Sequence, residues 1–242
     1  MKIAGYLKSS LIEWPGKIAS VIFVPGCNFR CPFCHNADLV KNRGLMLLEE
    51  KQIYVDLEKR RKFIDGVVIT GGEPTLQPDL SNFLKSLKER GFETMVETNG
   101  SRPEALKSIL NFKFKILDFV AMDIKGNFDN YQNFTNVNPQ ISNVKSSVEL
   151  ILKSGIDFEF RTTVVPGLHN KRILIKMAEE LKSLIENCKL KIENYHWYLQ
   201  NFQPKNCLDP EFKKVKPFEN RELQEFIKEV RKIIPQTELR GG

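Results

Sequence analysis

The sequence predicts an α/β protein built on a parallel sheet. Short runs rich in Val, Ile, Phe and Thr alternate with longer, charged, amphipathic runs. Several of the short runs are nearly all apolar, as parallel strands covered on both faces must be. Each is also followed by a polar or glycine-containing cluster. In barrel-type α/β folds the loops after the strands share one rim, and that rim carries the chemistry.

Taken in order, strands are expected at Ala19–Val24, Gly66–Thr70, Glu93–Glu97, Asp118–Met122, Phe158–Val164 and Trp197–Gln200. Helices are expected near residues 46–63, 77–90, 103–114, 142–154, 170–186 and 218–234. In the second of these, Leu80, Phe83, Leu84 and Leu87 recur at helical spacing with Lys and Glu between them. Pro78-Asp79 and Arg102-Pro103-Glu104 are helix starts, and Gly91 and Gly155 follow helix ends, where a left-handed cap is wanted. Six strand–helix units in succession fit either a doubly wound open sheet or a (β/α) barrel. Nothing marks a linker, so residues 1–242 are expected to form a single domain. Residues 1–17 lead into it, and the tail TELRGG is expected to fray.

Of the 242 residues, 41% are hydrophobic and 28% charged, which excludes a disordered or collagen-like chain. No apolar run approaches 18 residues, so no membrane span is expected. The start, MKIAGYLKSSLIEWPGK, lacks the apolar core of a signal peptide. A cytosolic location is expected. The net charge of +7 comes from 37 Lys+Arg against 30 Asp+Glu. These are interleaved along helix-like stretches as on solvated faces, so no nucleic acid partner is expected.

Three of the five cysteines, Cys27, Cys31 and Cys34, fall within eight residues as C-x3-C-x2-C. Clustered cysteines in a reducing compartment point to metal rather than disulfides. A structural zinc site takes four ligands; His35 adjoins Cys34 and is badly placed to turn to the same ion. An iron–sulfur cubane is normally held by four cysteines, so three would leave one iron open. The spacing alone leaves iron–sulfur, incomplete zinc and plain thiols as readings. Phe29, Pro32 and Phe33 would shield a cluster from water, and Cys188 and Cys207 read as ordinary thiols.

The remaining clusters carry two readings each. Gly71-Gly72-Glu73-Pro74 either lets a ligand approach the backbone or is a plain strand-to-helix turn. Glu97-Thr98-Asn99-Gly100 reads as a loop with an Asn-Gly turn. Asp123 and Lys125, two apart on a strand, face the same side. They form either a mutual ion pair or a recognition site for a zwitterion. Arg161 and Thr163 alternate with apolar residues and point into a cavity, where Arg161 suits a carboxylate. His169 follows a Pro-Gly turn and is expected on a surface loop.

With CNFRCPFCHN the chain resembles the radical S-adenosylmethionine (SAM) enzymes. The combination WPGK, FVPGCNFRCPFCHN, GGEPTLQ, MDIKG and VPG resembles their glycyl-radical-enzyme activating members over nearly the whole length. The resemblance implies a partial (β/α)6 TIM-type barrel. Cys27, Cys31 and Cys34 would hold three irons of a [4Fe–4S] cluster, and SAM would chelate the fourth. The Gly71-Gly72-Glu73 backbone would accept the SAM amine's protons, Lys125 would meet its carboxylate, and Asp123 would help hold the cofactor. Phe33 and His35 would border the adenine, and Arg161 matches a cofactor-side arginine. Glu97 and Thr98, beside Asn99, are the candidate ligands of a monovalent cation, although Glu97 stands where relatives have Asp. Gln203 stands where relatives have an adenosine-side histidine, and Glu13 matches an acidic residue near an entering peptide.

The implied chemistry is one-electron cleavage of SAM and removal of a glycine Cα hydrogen from a partner glycyl radical enzyme. The partner implied is anaerobic ribonucleoside-triphosphate reductase, with a pyruvate formate-lyase-like enzyme as the alternative. The electron donor would be a flavodoxin or ferredoxin. Two other readings stand beside this one: a radical SAM enzyme acting on a small molecule, and a zinc-binding interaction module of Cys27, Cys31, Cys34 and His35.

Overall fold

The strands lie side by side in the order in which the chain visits them. In the computed structural model, which describes residues 1–110, 115–188 and 195–240, they are β1 (Gly5–Ser10), β2 (Ala19–Val24), β3 (Gly66–Gly71), β4 (Glu93–Thr98), β5 (Phe119–Asp123), β6 (Asp157–Val164), β7 (His196–Asn201) and β8 (Thr237–Arg240). The helices are α1 (Ala37–Lys41), α2 (Glu50–Arg60), α3 (Leu80–Glu89), α4 (Pro103–Ile109), α5 (Gln132–Thr135), α6 (Ile141–Leu152), α7 (Lys171–Asn187) and α8 (Asn220–Val230). β1 runs antiparallel to β2, and every later neighbour pair is parallel. Among the described residues β1 and β8 do not pair, so the sheet curls without closing. Its curvature shows in Arg161 of β6, which bonds Glu97 of β4 and also donates to the carbonyl of Glu13, just beyond β1, at 2.7 Å.

The six expected strands are β2 to β7. Burial is the physical reason they were legible: β2 and β3 are buried along almost their whole length, and the others keep a shorter buried stretch. Two further strands depart from expectation. Gly5–Ser10, within the lead-in segment, is an edge strand, and Thr237–Arg240, expected to fray, continues the parallel ladder beside β7. Gly241 and Gly242, and the end of the helix expected over 103–114, lie outside the described residues. The other helices begin and end within a few residues of expectation, and α1 and α5 are short additions. None of the described helices is long and apolar enough to cross a membrane.

Alternation along the strands separates two cores. Outward residues such as Ile22, Ile69, Val96, Val120 and Phe160 pack against the helices. Inward residues Ala19, Val21, Val68, Met95 and Ala121 form a separate cluster with Trp14, which plugs the end where the strands begin. At the other end the inward positions become Thr70, Glu97, Asp123 and Thr163. The polar end is where the post-strand loops gather.

Candidate active site

The loop after β2 carries the three cysteines, and the loops after β3 and β4 grip it. Gly72 N–H donates to Val24 at 2.8 Å and Glu73 N–H to Gly26 at 2.8 Å. A Cβ on Gly72 would stand 1.9 Å from the Gly26 carbonyl oxygen, and Gly71 has φ +112°. The glycine pair thus serves a close approach of chain to chain, which the sequence did not separate from approach of a ligand. Glu73 then turns its buried carboxylate toward the next loop. It accepts from Thr75 N–H at 3.1 Å, Thr98 Oγ1 at 2.7 Å and Asn99 N–H at 2.7 Å. Burial holds its pKa above the usual carboxylate range, against the pull of these donors.

Asn99 completes the grip. Its Nδ2 lies 3.1 Å from Asn28 Oδ1 and 3.7 Å from Cys27 Sγ, and Phe29 N–H points at the same sulfur at 3.4 Å. On the far side, residues 207–209 run beside the cysteines: Leu208 N–H donates to the Cys34 carbonyl at 3.0 Å and Asp209 N–H to that of Pro32 at 2.9 Å. Desolvation raises the thiol of Cys27 to about 11 and that of Cys31 to about 12, and raises Cys34 also. As free thiols they are protonated and unreactive at neutral pH.

These loops enclose a cavity of about 210 Å³. Cys27, Cys31, Cys34, Phe33, His35, Gly71, Gly72, Glu73, Glu97, Thr98, Asn99, Asp123 and Lys125 all border it, so most of the expected site converges. Lys125 Nζ lies 2.8 Å from Asp123 Oδ2. Burial works against its charge, but Asp123 and the cysteines Cys31 and Cys34 outweigh it and push the pKa up. The ion-pair reading of Asp123 and Lys125 is therefore what the structure contains, and the pair also faces the cavity. Phe29, Asn36, Val40 and Thr70 complete the lining together with Thr163. Asn36 and Thr70 carried no local signal, although Asn36 Nδ2 holds the Gly71 carbonyl at 3.0 Å and Thr70 Oγ1 holds Glu97 at 2.6 Å.

Two expected residues, Arg161 and Gln203, lie off the cavity lining, and the expectation for His169 is corrected. Arg161 does not border the cavity: its guanidinium is spent on Glu97, Glu159 and the Glu13 carbonyl. Gln203 is exposed on the loop after β7 and is absent from the lining, whereas its neighbour Phe202 lies under His35 with ring centroids 6.2 Å apart. His169 is 2% exposed rather than on the surface. Its ring accepts from Val165 N–H at 3.1 Å and bonds the Lys125 carbonyl at 3.1 Å.

Residues 21–180 match the Radical SAM superfamily. The chain belongs to that superfamily. Along 98% of its length it is 33% identical to a Methanocaldococcus jannaschii protein provisionally named a glycyl-radical enzyme activating enzyme, covering 95% of that protein. It is 29% identical to the pyruvate formate-lyase-activating enzyme of Clostridium pasteurianum over 91% of this chain and 94% of the relative. Within the superfamily it belongs to the glycyl-radical-enzyme activating group, and it is an oxidoreductase. In fold it is similar to Streptococcus suis SuiB bound to SAM, with a TM-score of 0.65 and 16% identity over 91% of this chain and 52% of that one. A domain of a pyruvate-formate lyase-activating enzyme from Bacteroides vulgatus aligns at a TM-score of 0.56 and 19% identity, over 73% of this chain and 99% of the domain.

The superfamily works with a [4Fe–4S] cluster and SAM. The donor set here fits such a cluster. Three soft sulfur donors stand on one loop around a cavity, and N–H groups are aimed at the first of them. Among the described residues no three His, Cys, Asp or Glu side chains are gathered tightly enough for a single metal ion. That holds for Cys27, Cys31 and Cys34 as it does for these three with the exposed His35.

Proposed function

We propose that the chain is an activase that installs a glycyl radical in a partner enzyme, anaerobic ribonucleoside-triphosphate reductase. The observation that supports this most is the meeting, on one cavity, of three cysteines from a single loop with Lys125, Asp123 and the Gly71-Gly72-Glu73 backbone. Cys27, Cys31 and Cys34 would hold the cluster, leaving it open to the amine and carboxylate of SAM. With SAM bound, such a cluster would supply the one electron needed for reductive cleavage of SAM.

The chain's own residues bind, orient and exclude water. Lys125, charged at any working pH, meets the SAM carboxylate, and Asp123 holds the ammonium in place while facing the cofactor. Phe33 and His35 border the adenine. Phe29 and Phe33, each buried, keep water from the sulfurs. Glu97 needs no monovalent cation in this reading: Arg161 neutralises one carboxylate oxygen and Thr70 donates to the other.

The gap between β1 and β8 leaves a lateral way in for a peptide, and Glu13 stands beside it with its carbonyl anchored on Arg161. The WPGK to VPG motif set points to the activating group as a whole; the choice of a ribonucleotide reductase rests on the overall resemblance to its activators, and the Clostridium relative makes a pyruvate formate-lyase-like partner the competing outcome. The electron comes from a flavodoxin or ferredoxin. The test is anaerobic incubation of the reduced protein with SAM and each candidate glycyl radical enzyme. Electron paramagnetic resonance (EPR) is expected to show a glycyl radical on the reductase. A radical on the lyase alone overturns the choice of partner, and a radical on neither overturns the activase.

A further inference from the structure

β5 ends at Asp123; Ile124 still bonds β6, its N–H donating to the Arg161 carbonyl at 2.8 Å and its carbonyl accepting from Thr162 Oγ1 at 2.7 Å. Lys125 lies one residue beyond the ladder, where strand pairing no longer fixes the backbone. Two buried side chains take over. Lys125 N–H donates to Tyr131 Oη at 3.0 Å, and its carbonyl meets His169 Nε2 at 3.1 Å. Because Val165 N–H donates to Nδ1, the proton sits on Nε2, and His169 is the donor to Lys125. Each of the two side chains is 2% exposed, and neither borders the cavity.

Both are themselves braced. The Phe134 ring lies 4.8 Å from that of His169, and it also abuts Gly126, where a Cβ would come within 2.1 Å of it. Tyr131 packs edge-on against Phe29 at 6.2 Å, between Cys27 and Cys31 in sequence, and Arg30 N–H donates to the Thr135 carbonyl at 2.8 Å. The segment that holds Lys125 is therefore fastened to the loop that carries the cysteines. Burial lowers the His169 pKa to about 4, so the neutral donor persists across the working range.

We propose that Tyr131 and His169 are positioning residues that clamp the Lys125 backbone, set its ammonium at a fixed place relative to the cysteine loop, and thereby set SAM affinity. This rests on the reading above that Lys125 meets the SAM carboxylate. Without the clamp the lysine keeps its charge and its partner Asp123 but spends its time over several positions, and the ordering cost falls on cofactor binding.

The experiment uses the full chain, reconstituted anaerobically, with SAM affinity measured by calorimetry alongside iron content and thermal midpoint. Lys125→Ala should weaken SAM binding about ten- to hundredfold. Tyr131→Phe removes only the hydroxyl. His169→Asn keeps an acceptor for Val165 N–H but has no donor reaching Lys125, whereas His169→Gln restores one near the Nε2 position. Tyr131→Phe and His169→Asn should each weaken SAM about threefold to tenfold, with iron retained, His169→Gln should recover most of the affinity, and neither loss should add to Lys125→Ala. Loss in Lys125→Ala with none in the clamp variants overturns the clamp and leaves the role of Lys125 standing. Losses that persist in the Lys125→Ala background, or equal losses in His169→Asn and His169→Gln, show a structural role and also overturn it. An unchanged affinity in Lys125→Ala overturns both.

Discussion

The two ends of the barrel interior are built on the same strands and differ in almost everything else. Where the strands begin, Val21, Val68, Met95 and Ala121 close on Trp14 in an apolar plug. Two residues further along, about 7 Å, the inward positions are Thr70, Glu97, Asp123 and, on β6, Arg161 and Thr163. The plug has the packing of an ordinary core. The other end holds buried charge that only mutual pairing makes tolerable: Arg161 between Glu97 and Glu159, and Glu159 again with Arg240 through two bonds of 2.6 and 2.7 Å. The difference teaches where the fold places its stability and where it gives stability up for a site. A polar, hydrogen-bonded floor under the cysteine loop leaves a ligand-sized cavity that hydrocarbon side chains would fill.

The largest test of that contrast strikes the site alone. Cys31→Ala should abolish cluster loading and SAM cleavage together, read as iron and sulfide content and as 5′-deoxyadenosine formed under reducing conditions. The plug should still hold the apo fold, so the thermal midpoint of apo protein should stay within a few degrees. Cleavage at the usual rate would reject the cysteine assignment.

Next comes the charged layer. Arg161→Met leaves Glu97 and Glu159 facing each other with less compensation, and breaking a buried pair in this way costs about 3–5 kcal/mol. Denaturant unfolding should show a loss of that order, and Arg161→Lys should recover only part, because one ammonium cannot reproduce a fork that reaches Glu97, Glu159 and the Glu13 carbonyl at once. A loss under about 1 kcal/mol would mean that the network is solvated and the contrast between the ends is weaker than drawn.

Truncating the plug should do the reverse. Met95 is fully buried, and Met95→Ala should cost about 2–5 kcal/mol in unfolding free energy with SAM affinity unchanged. If affinity falls as far as in Lys125→Ala, the two ends are not separable.

The same contrast explains what the sequence made legible. β2 and β3 announced themselves because burial on both faces leaves nearly continuous apolar runs, and β4 to β7 through shorter buried stretches, in β7 only Trp197 and Leu199 in alternation. β1 (GYLKSS) and β8 (TELR) stand at the edges of the gap, carry Lys, Ser, Glu and Arg, and have little apolar pattern for a sequence reading to find. Cys27, Cys31 and Cys34 were visible through spacing on a single loop, and Asp123 and Lys125 through spacing at a strand end. His169 was not: its reason for being buried is the Lys125 carbonyl, 44 residues away, and nothing beside it in the chain signals that contact. Arg161 was rightly read as inward, but the three groups that occupy it come from distant segments, so its separation from the cavity was invisible. Gly71 and Gly72 were recognised as permitting close approach, and only the fold reveals that Val24 and Gly26 are what approach them.

The smallest expected effect locates the boundary between the two ends. Thr70 stands two residues beyond Val68 on β3, and its hydroxyl donates to Glu97 Oε2 at 2.6 Å while Arg161 holds the other oxygen. Thr70→Val keeps the shape and removes that donor. A hydrogen bond to a charged group is worth about 1.5–3 kcal/mol, and Glu97, partly open to the cavity, can recover some of this from water. A loss of about 1 kcal/mol is therefore expected in denaturant unfolding, with iron content unchanged. If the variant is as stable as the parent or more so, hydrocarbon is tolerated at this level, the apolar plug extends past Thr70, and the polar floor begins only at the cysteine loop itself.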